Sequence, residues 1–219
     1  MDVGRAFSFP FRDPDWVVKF LVGAVFVLLS VVLVGIPFLA GYMVEIVRRV
    51  AAGETEPLPA WENLGEKFGR GLVLAAIFIV YSLPYLVLSA CAFLAGFGDD
   101  GGIRTVASLL NCVGFLYSLL LTAISPAVIA RFAAAGTFSS GFQIDALIDF
   151  AQRRLGDYVL VVVLTLVASI IGGLGLLICG VGVLFTSFYS TLIVGHLVGQ
   201  LAREPAGQGE TPVERPETI

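Results

Sequence analysis

Histidine occurs once in this chain, at position 196, one helical turn before Gln200 and two turns after Tyr189. An ionisable residue within an apolar helix is a candidate functional site, and so close to Arg203 it equally suits a neutral histidine hydrogen-bonded near the interface. A second set, Ser108, Asn111, Ser118, Thr122 and Ser125, recurs at steps of three, four and seven and so lines one face of a helix. Such a stripe either borders a hydrated path or supplies interhelical hydrogen bonds, worth roughly 0.6 kcal/mol each on average. Asn111, Ser118 and Thr122 are expected to face Tyr189, His196 and Gln200 across a polar interior, because polar groups in hydrocarbon must find partners or water.

Other patterns concern packing and the membrane surface. Ser187, Thr191, Gly195 and Gly199 repeat every four residues and include a GxxxG, a face that lets helix backbones approach closely, within the chain or between copies. Arg48, Arg49, Trp61 and Lys67 form a basic and aromatic collar suited to anionic lipid headgroups. The phenylalanines Phe7, Phe9 and Phe11, with Arg12, are suited to the same depth. Covalent and metal chemistry find no foothold. There is no nucleophile with a base beside it, no spacing of metal ligands, and no phosphate-binding lysine with the glycines at 172 to 182. No catalytic residue, metal or cofactor is expected, and the chain does not read as an enzyme. Cys91, Cys112 and Cys179 fall in apolar runs without paired spacing and are expected to be buried thiols.

The elements that would position these residues follow from composition. The 219 residues are 58% hydrophobic and 14% charged, with a mean hydropathy of +0.94, far from the ~25% charged mixture of soluble domains. Lipid is the expected solvent, and nucleic acid is not an expected partner. Charge-free runs long enough for a bilayer predict an all-α, polytopic helical membrane protein with about five transmembrane helices, at 16–40, 71–95, 104–130, 158–179 and 183–201. The first is expected to kink at Pro37. Two amphipathic stretches, beginning at Trp61 and Phe142, are expected as cytoplasmic interfacial helices. Residues 1–202 form one integral membrane domain on this reading, and 203–219 a disordered cytoplasmic tail. Five spans put nine basic residues on one side (Arg48, Arg49, Lys67, Arg70, Arg131, Arg153, Arg154, Arg203, Arg215) and four on the other (Arg5, Arg12, Lys19, Arg104). The positive-inside rule then makes the C-terminus cytoplasmic and the N-terminus external.

The pairs Gly41-Tyr42, Arg48-Arg49, Gly53-Glu54 and Leu58-Pro59, then Trp61, Phe68 and Gly71-Leu72, resemble the signature of the family catalogued as domain of unknown function 4013. The segment from 175 to 200, with Cys179, Phe188-Tyr189 and Gly199-Gln200, is similar to that family's closing region. The likeness covers most of residues 10–202. It implies a small polytopic prokaryotic membrane protein, of the plasma (inner) membrane, with no established activity. The expected role is a structural or accessory component of the bilayer, packing as a homo-oligomer or with a membrane protein partner. The alternative is a small-solute or lipid transporter with a polar path between the third and fifth spans.

Overall fold

Long runs of Leu, Val, Ile, Phe and Ala can satisfy their backbone groups in hydrocarbon only as helices, and every regular element among the described residues is a helix. The structure, a computed structural model, describes residues 1–54, 58–97, 101–177 and 181–203. The helices are α1 (Val3–Ser8), α2 (Trp16–Leu29), α3 (Gly35–Ala52), α4 (Leu64–Gly96), α5 (Gly101–Ala135), α6 (Ile144–Arg153), α7 (Leu155–Leu174) and α8 (Gly182–Ala202), joined in places by short 3₁₀ turns. Four of them, α4, α5, α7 and α8, are long and apolar enough to cross a bilayer. The segments Val3–Arg12 and Trp16–Val32, bent by 101° to each other, make a fifth if taken together as one span. The expected turn near Gly180, Cys179 and the tail beyond Arg203 lie outside the described residues.

The first apolar run does not cross as one kinked helix. α2 stops where the Ser30 hydroxyl donates back to the Phe26 carbonyl, 2.9 Å away, and Leu33 takes a left-handed conformation at φ 66°. α3 then starts at Gly35, where a Cβ would overlap the Phe26 carbonyl. The Phe26 and Phe38 rings meet at 4.6 Å, so α2 and α3 run back alongside each other. Pro37 sits in the first turn of α3, where a missing N–H costs nothing, and makes no kink in a continuous span. Lys19 explains the fold-back. A lysine one turn into an apolar run needs partners, and its Nζ finds Asp13 at 2.5 Å and the Leu58 carbonyl at 3.2 Å.

This corrects the expectation that the N-terminal segment lies across the membrane from the collar. Asp2 and Gln200 exchange two hydrogen bonds, Asp2 N to Oε1 at 2.8 Å and Nε2 to Asp2 O at 2.9 Å. Tyr189 donates to the Phe7 carbonyl at 2.8 Å. Phe9 is buried instead of lying among headgroups. The stretch expected as a separate surface helix from Trp61 is partly the first turns of α4, which continues unbroken to Gly96. Cys91 and Cys112, expected inside, are exposed on α4 and α5. A thiol is apolar enough to face lipid, so an apolar run does not decide which way it points.

Small residues set the closest helix crossings. A Cβ on Gly41 would fall on the Lys67 carbonyl, and one on Gly71 on the Pro37 carbonyl. α3 and α4 thus touch backbone to backbone. On the other side of α3, Gly195 of α8 abuts Met43 and Ile46, and Gly199 abuts Val47 and Val50. Val44, Val47, Leu74, Ile77, Phe132, Ile193 and Leu197 fill the centre.

One proline inside a helix is relieved by a hydroxyl, and another has a hydroxyl bonded close by. Pro126 cannot donate to the Thr122 carbonyl, which accepts instead from Ser125 Oγ at 2.9 Å. One residue on, the Ala123 carbonyl accepts from the Tyr158 hydroxyl of α7 at 2.6 Å. Near Pro84 the Tyr81 carbonyl accepts from Tyr117 of α5 at 2.8 Å. Tyr158→Phe is expected to lower stability by about 1 kcal/mol, read as a shifted unfolding midpoint in detergent. An unchanged midpoint would mean the hydroxyl contributes nothing beside the proline.

Candidate functional site

The ends of α3 and α8, the start of α1 and the break between α6 and α7 converge on a cavity of about 350 Å³. Its wall carries Asp2, Arg5, Glu54, Arg154 and Arg203, with His196 and Gln200 also lining it. Each arrives there for a local reason. Gly53, at φ 82°, ends α3 in the left-handed cap that glycine favours, and Glu54 N closes onto the Arg49 carbonyl. The cap has no side chain, and the Arg203 guanidinium lies against it, 3.1 Å from where a Cβ would be. Arg154 occupies the break before α7 and pairs with Asp157, in the first turn of that helix, at 2.5 Å. The Asp2 carboxylate caps α1 by accepting from Arg5 N at 2.9 Å.

His196 is 2% exposed and stacks on Phe9, ring centroids 4.4 Å apart. Its Nδ1 lies 2.9 Å from Gln200 Nε2, whose other hydrogen goes to the Asp2 carbonyl. An amide nitrogen only donates, so Nδ1 accepts and the ring proton of the neutral histidine sits on Nε2.

The polar residues singled out in the sequence form two separate groups. Tyr189, His196 and Gln200 all face the N-terminal segment. Asn111 and Ser118 instead line, with Tyr85, Ser89 and Gly114, a groove of about 230 Å³ between α4 and α5. The expected polar path between the third and fifth spans is therefore not assembled. The physical reason is local satisfaction: Asn111 donates to Ala107 O, Ser118 to Phe115 O and Thr122 to Ser118 O, all within α5. The polar face of α8 is occupied by α1.

The four-residue repeat divides as well. Gly195 and Gly199 pack on α3, Ser187 lies against Gly172 of α7, and Thr191 donates to the Ser187 carbonyl. The collar residues are engaged inside the chain. Arg48 Nε donates to Ala133 O at 2.6 Å, near the end of α5, and Arg49 pairs with Glu45 at 2.9 Å. Lys67 is buried against Glu45, and Trp61 Nε1 donates to the Lys19 carbonyl at 3.0 Å. Sequence reasoning missed the convergence of Arg5, Arg154 and Arg203. These lie too far apart in the chain for any spacing rule to link them. Among the described residues no group of three or more His, Cys, Asp or Glu is placed to hold a metal ion.

A family model described as a protein of unknown function, DUF4013, matches residues 24–181. No curated protein and no solved structure matches the chain.

Proposed function

This chain belongs to the DUF4013 family of proteins of unknown function, and on that premise we propose a structural or accessory role in the bilayer. It is a multi-pass integral protein of the prokaryotic plasma membrane, packing with itself or with another membrane protein, and not an enzyme. The observation that carries this reading is the groove between α4 and α5. Its surroundings are exposed and apolar, with Leu86, Leu109, Val113 and Phe115 facing outward. Within it Asn111 has one amide hydrogen on Ala107 O, which leaves a carbonyl and a second N–H to be matched in hydrocarbon. A helix laid against the groove supplies those partners.

Orientation is part of the same reading. Arg5 and Lys19 join the basic residues they were expected to oppose, while Arg104 stays in the first turn of α5. That asymmetry supports a cytoplasmic C-terminal end of α8. Against the transport alternative stand the separation of the two polar groups and the lack of charged residues midway along the described spans.

The exposed Cys112 follows Asn111 on α5, outside the lining of the groove, and reports on contacts made at that part of the helix. In membranes, with Cys91 and Cys179 replaced by alanine, mild oxidation is expected to link two copies through Cys112. Asn111→Leu is expected to weaken that association about fivefold or more. A partner protein would appear instead as a stoichiometric companion lost in the same variant. Neither linkage nor companion, or no effect of Asn111→Leu, would remove the proposal. A cysteine at Ser118 that reacts with water-soluble reagents and is protected by a solute would put transport in its place.

A further inference from the structure

We propose that the arginine-lined cavity binds a phosphate-bearing anion. Three guanidinium groups from distant parts of the chain share its wall, Arg5, Arg154 and Arg203. Like charges repel, so such a gathering is stable when an anion sits among them. Asp2 and Glu54 share the wall, and they and Asp157 are each engaged in part elsewhere. Asp2 Oδ1 caps α1, Glu54 lies 3.8 Å from Arg49, and Asp157 holds Arg154 Nη2. Among the described residues, neither Arg5 nor Arg203 forms a side-chain ion pair, and Arg154 Nη1 reaches only the Arg203 carbonyl, at 3.5 Å.

The chemistry of the wall selects phosphate. A planar guanidinium donates two parallel hydrogen bonds that match phosphate oxygens, and three of them match a group with several such oxygens. His196 adds Nε2–H, the ring donor that Gln200 does not engage. Two sources share this chemistry, the headgroup of an anionic phospholipid and a soluble phosphate compound. The site differs from the collar that the sequence singled out for lipid, whose cations are used within the chain. It does not depend on the scaffold reading, since a transporter or a scaffold would hold the anion equally well.

The test uses the full chain in neutral detergent, with dioleoylphosphatidylglycerol, dioleoylphosphatidylcholine and inorganic phosphate as separate probes. Binding is read by native mass spectrometry and by the shift in unfolding temperature. Phosphatidylglycerol is expected to be retained over phosphatidylcholine and to raise the unfolding temperature. The double variant Arg5→Gln with Arg203→Gln is expected to weaken retention about thirtyfold, near fivefold per arginine. Arg153→Gln, whose side chain is 72% exposed and paired with Asp149, is the control and is expected to change little. Should the double variant fold poorly, Arg203→Gln alone, at the exposed end of α8, still predicts a loss of about fivefold. If inorganic phosphate stabilises the protein and displaces the lipid, the anion is soluble phosphate and the site stands. Equal binding by the parent and the arginine variants, for both anions, would overturn it, as would an equal loss in Arg153→Gln.

Discussion

Gly71→Leu is expected to give no folded, monodisperse protein, and Gly71→Ala to cost about 3 kcal/mol or more. A Cβ at this position has to enter the space held by the Pro37 carbonyl and lies 2.5 Å from Gly41 N. Both obstacles are backbone. A flexible side chain can swing aside for a methyl group, but two helices locked by their own ladders can only separate. Separation would also open the contact on the α4 side of Gly41. The control lies two residues away. Nothing stands within 4 Å of a Cβ on Gly69, so Gly69→Ala is expected to be neutral or to stabilise by up to about 1 kcal/mol through helix propensity. Unfolding midpoints in detergent compare the three proteins directly. Equal tolerance of alanine at 69 and 71 would mean that α3 and α4 do not cross as described.

Glu45→Ala is expected to cost about 3 kcal/mol, and Lys67→Met markedly less, near 1 kcal/mol. The asymmetry comes from what each leaves behind. The Lys67 side chain is 7% exposed, and its Nζ meets Glu45 Oε2 at 2.5 Å and the Glu62 carbonyl at 2.9 Å. Without Glu45, a buried ammonium keeps a single carbonyl. Without Lys67, Glu45 still holds Arg49 at 2.9 Å. The double variant should therefore be more stable than the sum of the single losses implies. If Lys67→Met proved as damaging as Glu45→Ala, Arg49 would not be sharing the carboxylate.

What the sequence made legible tracks the range over which each signal acts. Hydropathy is local, and it located the cores of α4, α5, α7 and α8 within a few residues. The fold-back at Leu33 was hidden because residues 20 to 40 carry no charge to mark a turn, and Pro37 drew attention to the wrong place. Lys19 held the clue. A lysine in that run demanded a partner, and the partner, the Leu58 carbonyl, lies 39 residues away.

The site was less legible than the fold. Asn111, Ser118 and Thr122 do share a stripe, but hydroxyl and amide groups on a helix can bond the preceding turn. Their spacing therefore says nothing about which helix they face. Tyrosine gave no periodic signal, yet Tyr42, Tyr81, Tyr117, Tyr158 and Tyr189 each donate to a backbone carbonyl in another segment. Carbonyl acceptors are present at every residue, so no pattern of residue types discloses them. Much of the family resemblance falls on this framework: Tyr42 donates to Pro59 O, Trp61 stacks on Tyr42, and Gly41 and Gly71 set the crossing of α3 and α4.

The clasp between the two ends of the chain orders events at the ribosome. Asp2 and Gln200 are 198 positions apart, and Phe188 of α8 packs on Phe20 and Tyr42. The α2–α3 hairpin therefore leaves the exit tunnel long before the helix that covers it has been translated. During that interval its aromatic face has no native partner and must be held by lipid, by the insertion machinery or by a chaperone. Truncation before α8 would leave that face permanently bare, so a nascent chain stalled short of Gly182 presents the quality-control proteases with a defined, unfinished intermediate.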